Sequence, residues 1–199
     1  MSESMKLVEG EPAQAVAQKF YVVSINKLIY MSVLTTGLYL LYWFYRNWAT
    51  YRDATGEHLI PILRSIIPVI FLYSLLWRID QSLKRSGVQY EWSPKPLAMS
   101  MWLILLASFG VSMLISAPTE QLKDIALMNL QNLILTIVQL VALVWVVCKI
   151  QRAVNVAEGD PEGESNAHFN GANNGWIGLG IVIWLVYFIS VAMLLSLAY

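Results

Sequence analysis

Apolar residues in this chain do not come in short alternating or helical bursts. They gather into five long stretches, at about 28–48, 59–78, 96–118, 125–148 and 176–198, separated by polar intervals. At a rise of ~1.5 Å per residue, about 20 apolar residues in a helix match the ~30 Å hydrocarbon layer of a bilayer. The pattern therefore predicts an all-α fold, a polytopic integral membrane helical bundle. Residues 1–27 form a cytoplasmic tail and residues 28–199 the membrane domain.

The last three stretches are the simplest. Residues 96–119, 125–148 and 176–199 are each 24 residues without a charge, long enough to span with tilt. The interval around Glu120, Lys123 and Asp124 is short, so the first two of these helices form an antiparallel pair. From Lys149 the helix is expected to continue to about Val156, followed by an irregular Gly/Asn-rich loop.

The first two stretches admit two readings. In the first, Thr35, Thr36 and Gly37 interrupt eighteen uncharged residues; in the second, Pro61, Arg64 and Pro68 leave an uncharged core of thirteen, about 20 Å of helix. Each crosses the bilayer or turns back within it. Basic residues bear on the choice, because cytoplasmic loops are rich in Lys and Arg. Five crossings leave Arg46, Arg52, Arg64 and Lys123 of the 13 basic residues outside; two hairpins and three crossings leave Lys123 alone. Charge favours hairpins. Segment length, and the need to cover a broken helix at membrane depth with protein, favour five crossings, and five is the expectation carried forward. Both readings place the N-terminus inside and the C-terminus outside.

Within the tail, Pro12 suits a first helical turn and Ala13, Val16, Ala17 and Phe20 recur at near-helical spacing. Lys19 and Lys27 would sit on acidic headgroups. An interfacial helix and a frayed tail are both open. No short apolar core leads to a small-residue cleavage site, so a removable signal peptide is not expected. Tyr42, Trp43, Tyr45 and Trp48 crowd the end of the first stretch beside Arg46, an aromatic cluster suited to the membrane–water interface.

The run Thr36-Gly37-x-Tyr39-x-x-Tyr42-Trp43, followed by Tyr45-Arg46, resembles the opening motif of a domain-of-unknown-function family of small bacterial multi-pass membrane proteins. The resemblance covers roughly the first third of the chain. It implies a bacterial inner-membrane location and no catalytic residue.

Candidate chemistry is sparse. Asn129, Asn132, Thr136 and Gln139 follow spacings of three, four and three and so share one helix face, which must meet other helices or water rather than lipid. Ser108, Ser112 and Ser116 recur every four residues beside Gly110, a small-residue ridge for close packing, and Gly178 and Gly180 offer the same in the last stretch. Arg64 is the intramembrane charge to watch; a phosphate, Glu57 or Asp53 would satisfy it. The acidic loop of Glu158, Asp160, Glu162 and Glu164 lacks the glycine offset and closing Glu of a calcium loop. Cys148 reads as a small buried hydrophobe, and His58 and His168 are single and far apart.

Nucleotide-binding, zinc-hydrolase and serine-hydrolase signatures are missing. The balance of 13 basic and 13 acidic residues creates no field for nucleic acid. No cofactor or metal is expected. The partners expected are the lipid bilayer and a second copy or another membrane protein. The function expected is a non-enzymatic membrane scaffold or accessory subunit, self-associating or acting on lipid packing. The alternative is a small channel or carrier lined by the polar stripe.

Overall fold

The computed structural model describes residues 18–116 and 118–199, and its regular elements are all helical. The helix considered over 12–20 falls mostly outside the described residues; Lys19 and Phe20, which are described, are not helical. In chain order the helices are α1 (Ile25–Leu34), α2 (Leu38–Thr55), α3 (Pro61–Ile66), α4 (Pro68–Arg85), α5 (Pro94–Ile115), α6 (Leu122–Ala157) and α7 (Gly171–Ala198). Three of them, α5, α6 and α7, are long and apolar enough to cross a membrane, about 33, 54 and 42 Å respectively at ~1.5 Å per residue.

The first two stretches differ from the five-crossing expectation. The first breaks at Thr35–Gly37 and folds back. Thr36 and Gly37 take left-handed φ of 54° and 87°, and the α1 terminus closes in a Schellman pattern, with Gly37 N–H donating to Ser32 O at 2.8 Å and Thr36 N–H to Val33 O at 3.3 Å. Thr35 Oγ1 then stitches the turn, donating to Met31 O (2.6 Å) and accepting from Tyr39 N–H (3.0 Å). Residues on either side of Thr36 meet across the two arms: Phe20 stacks on Tyr51, and Tyr21 N–H donates to Asn47 Oδ1. With α1 only 10 residues long, the tip stands about 15 Å above its start.

The second stretch folds back at Ile67. Pro61 and Pro68 each open a helix, where a missing N–H costs nothing. Six-residue α3 climbs beside α2, and α4 returns, bringing Arg78 Nη2 to 2.7 Å from Glu57 Oε2.

One end of the molecule, termed basal here, therefore holds residues 18–24, the ends of α2 and α4, the start of α5 and the 158–170 loop. At the other, distal end, Lys123 at the start of α6 covers the ring of Tyr199. The buried core is concentrated toward the basal end, where Trp43, Trp48, Leu72, Leu75, Leu76, Ile79, Val146, Val147 and Ile150 are all inaccessible to solvent. In the distal half α6 lies between α5 and α7, whose backbones do not approach each other, and large apolar side chains such as Leu106, Phe109, Leu114, Ile189 and Met193 point outward.

α6 begins three residues before the expected 125 and ends one residue past Val156. α7 begins five residues before the expected 176, because Asn170 and Asn173 form a capping box that starts the helix in the polar stretch.

Candidate functional site

Residues 19–24 form no helix or strand, yet Phe20, Val22 and Val23 are buried. A buried backbone without secondary structure needs side-chain partners. Here they come from three elements, α2, α6 and the 158–170 loop. Glu158 Oε2 accepts from Lys19 N–H (2.9 Å) and Asn47 Oδ1 from Tyr21 N–H (3.3 Å). Gln151 Nε2 donates to Tyr21 O (3.0 Å), Asn166 Nδ2 to Val22 O (2.9 Å) and Asn155 Nδ2 to Val23 O (3.0 Å). The amides also bond one another: Gln151 Nε2 donates to Asn155 Oδ1 at 2.6 Å and Gln151 Oε1 accepts from Trp43 Nε1. Lys27, itself buried, donates to Asn166 Oδ1 and His168 O, both at 2.7 Å. This clamp fixes the basal ends of α2, α6 and the 158–170 loop around one extended peptide.

Burial pushes the Glu158 carboxyl above its ordinary pKa, against the pull of the Lys19 and Phe20 backbone amides. Asp160 goes the other way. Its carboxylate accepts from the backbone amides of Ser165 (2.9 Å) and Glu164 (3.0 Å), which hold its pKa below the usual range. The acidic loop is thus a self-capped turn packed on the clamp. Among the described residues, no three His, Cys, Asp or Glu side chains gather closely enough to hold a metal.

The polar stripe lies on α6 as a half-buried row. Asn132 and Ser112 meet across the α5–α6 seam at 3.3 Å, joining stripe and ridge. Asn129 and Thr136 instead bond back to their own helix, at Ile125 O and Asn132 O, both at 2.8 Å. Ser108 is half-buried, while Ser116 caps α5 and is exposed. Gly110 and Gly178 have open space where a side chain would begin; Gly180 packs directly against the backbone of Leu34 and Thr35.

Gln139 and Thr136 face a cavity of about 350 Å³ where the two hairpin tips converge on α5 and α6. Thr36 and Gly37 come from the first tip, Pro68 from the second, and Met101 and Leu105 from α5. The walls are largely apolar, with hydroxyls and one amide for orientation.

Arg64 sits at the outer corner of the second hairpin. Its guanidinium lies 4.3 Å from the ring centre of Trp48 and 5.0 Å from that of Phe71. Neither expected carboxylate pairs with it. Asp53 pairs with Arg52 at 2.8 Å. Glu57 is taken on both oxygens, by Arg78 Nη2 (2.7 Å) and Tyr51 OH (2.8 Å), which hold its pKa below the ordinary value. Trp43 and Trp48 correct the expected interfacial belt: both are fully buried in protein, because the hairpin fold turns them toward α6 and Arg64. Tyr42 is exposed and Tyr45 half-buried.

The sequence reading missed Asn47, Gln151, Asn155 and Asn166. Gln151 and Asn155, four apart just past the charged end of an apolar run, carried a signal: two amides on one face of a continued helix need partners. Their partner is backbone, which side-chain pattern does not reveal.

Comparison of the chain with family models, with curated proteins and with solved structures gives no match.

Proposed function

We propose that this chain is a non-enzymatic integral membrane scaffold in which α5, α6 and α7 cross the bilayer and the two hairpins insert into one leaflet. The carrying observation is the uneven cross-section: among the described residues, seven helical arms share the basal half, and only α5, α6 and α7 extend through the distal half. A body thicker in one leaflet than the other is a wedge, and wedges bias lipid packing. The helix break that hairpins require at membrane depth has protein cover, since α7 meets the first tip at Gly180 and Leu140 of α6 lies 3.3 Å from the Cβ position of Gly37. Lys123 is the one basic residue at the distal end among the described residues, which favours a cytoplasmic basal end. The motif resemblance in the first third favours a bacterial inner membrane.

On this reading the partners are lipid and a second copy or another membrane protein on the exposed apolar faces. The test is reconstitution of the purified chain into liposomes, with vesicle size measured against empty controls and oligomer size and crosslinking measured in detergent. Smaller or tubulated vesicles, or a defined oligomer, support the scaffold. Unchanged vesicles from a monomer that crosslinks to nothing in native membranes refute it.

A second reading rests on the cavity at the hairpin tips, where Thr136 and Gln139 meet apolar walls: a small carrier or channel. Solute or ion flux from liposomes that is lost on Gln139→Leu or Asn132→Leu would establish it, and no flux over a broad solute panel would dismiss it.

A further inference from the structure

At the basal corner of the second hairpin, hydrogen-bond donors outnumber acceptors. Glu57 spends one oxygen on Tyr51 and the other on Arg78, and Arg78 spends a second nitrogen on Ser74 Oγ at 3.1 Å. The Arg64 side chain makes no hydrogen bond or ion pair with the described residues; two aromatic rings hold its guanidinium in place. Arg78 Nε and Trp48 Nε1, in the same cluster, are buried without an acceptor among the described residues. Among the described residues, the corner carries two guanidinium charges against one carboxylate. A small recess beside it, of about 70 Å³, is lined by Lys19, Arg78 and Arg85 and, among the described residues, by no acid.

Around this positive corner the surface is greasy. Ile62, Leu63, Ile66 and Ile70 are each 47% exposed or more. An occupant must therefore present an acceptor-rich anion to Arg64 and hydrocarbon to α3 and α4. We infer that Arg64 is a headgroup site for an anionic phospholipid, its planar fork donating to the phosphodiester oxygens while acyl chains run along Ile62, Ile66 and Ile70. The ring faces of Trp48 and Phe71 fix the fork in advance, which lowers the cost of ordering a long side chain on binding. This inference rests on the membrane reading above.

The test is native mass spectrometry of the detergent-purified full chain titrated with dilauroyl phosphatidylglycerol, and separately with dilauroyl phosphatidylcholine. Wild type retains the glycerol lipid preferentially. Arg64→Met, checked for unchanged helicity, weakens that retention about tenfold or more, the equivalent of one charge-assisted contact. Arg64→Lys keeps the charge without the fork and falls between, so the comparison survives if Arg64→Met fails to fold. Equal retention of both lipids by wild type, or undiminished retention by the variants, overturns the site. Displacement of the lipid by glycerol phosphate would reassign it to a soluble anion and overturn the lipid claim. A chain that is monodisperse in buffer without detergent would instead overturn the membrane reading itself, so the two failures are distinguishable.

Discussion

At the scale of single residues, the fold depends on a few close approaches and buried amides. A Cβ at Gly180 would stand 2.0 Å from Leu34 O, while one at Gly178 meets nothing within 4 Å. Gly180→Ala should therefore lower the thermal midpoint in detergent by several degrees, through parting α7 from the hairpin tip and breaking the 2.8 Å bond from Trp184 Nε1 to Val33 O. Gly178→Ala should change nothing. Gln151 is fully buried and serves Trp43, Tyr21 and Asn155 together; Gln151→Leu strands those three groups and should cost about 2 kcal/mol or more in chemical unfolding.

Two basal carboxylates give opposite pH dependence. The Glu57 pKa is lowered on folding, chiefly by its bond to Arg78, so its contribution is present above the unfolded pKa and lost as pH falls through the folded one. The pair is partly exposed, so Glu57→Gln should remove only about 0.2 to 1 kcal/mol at neutral pH. The Glu158 pKa is raised by burial, so the folded state binds that proton more tightly and stability declines as pH climbs from the unfolded pKa through the folded one. Glu158→Gln should gain stability at neutral pH, and the gain should vanish in acid, where the wild-type carboxyl is protonated in both states. Thermal midpoints of the two variants across pH check both signs.

At the scale of elements, each break has a chemical cause. Thr36 and Gly37 end α1 with a left-handed closure, prolines open α3 and α4, and the Asn170/Asn173 box starts α7. Removing the box through Asn170→Ala should cost about 1 kcal/mol and speed amide exchange in the first turn of α7 without altering the rest of the helix. The sequence showed the Thr-Thr-Gly interruption and the prolines as places where a helix could break. It did not show that the first break is covered, because the covering groups, Leu140 and Gly180, lie more than 100 residues further along the chain. Without that cover a break at membrane depth is unfavourable, which is one of the two reasons the sequence favours five crossings.

At the scale of the whole molecule, two folded-back stretches place both hairpin bases at the end that holds the 158–170 loop. In a Cys148→Ser background, Thr55→Cys and Glu162→Cys should react with a membrane-impermeant thiol reagent from one face only, and Glu120→Cys from the opposite face. Labelling of Thr55→Cys and Glu120→Cys from the same face would restore five crossings and remove the wedge. The all-helical class, the three long apolar helices, the extension of α6 and the shared face of Asn129, Asn132, Thr136 and Gln139 followed from sequence, because length, hydropathy and helical spacing are local properties. The direction each arm takes after a break, the fate of Trp43 and Trp48, and the amide clamp on residues 19–24 came only with the tertiary structure. Each depends on which distant group satisfies a buried polar atom or fills a glycine's open side, and no local pattern records that pairing.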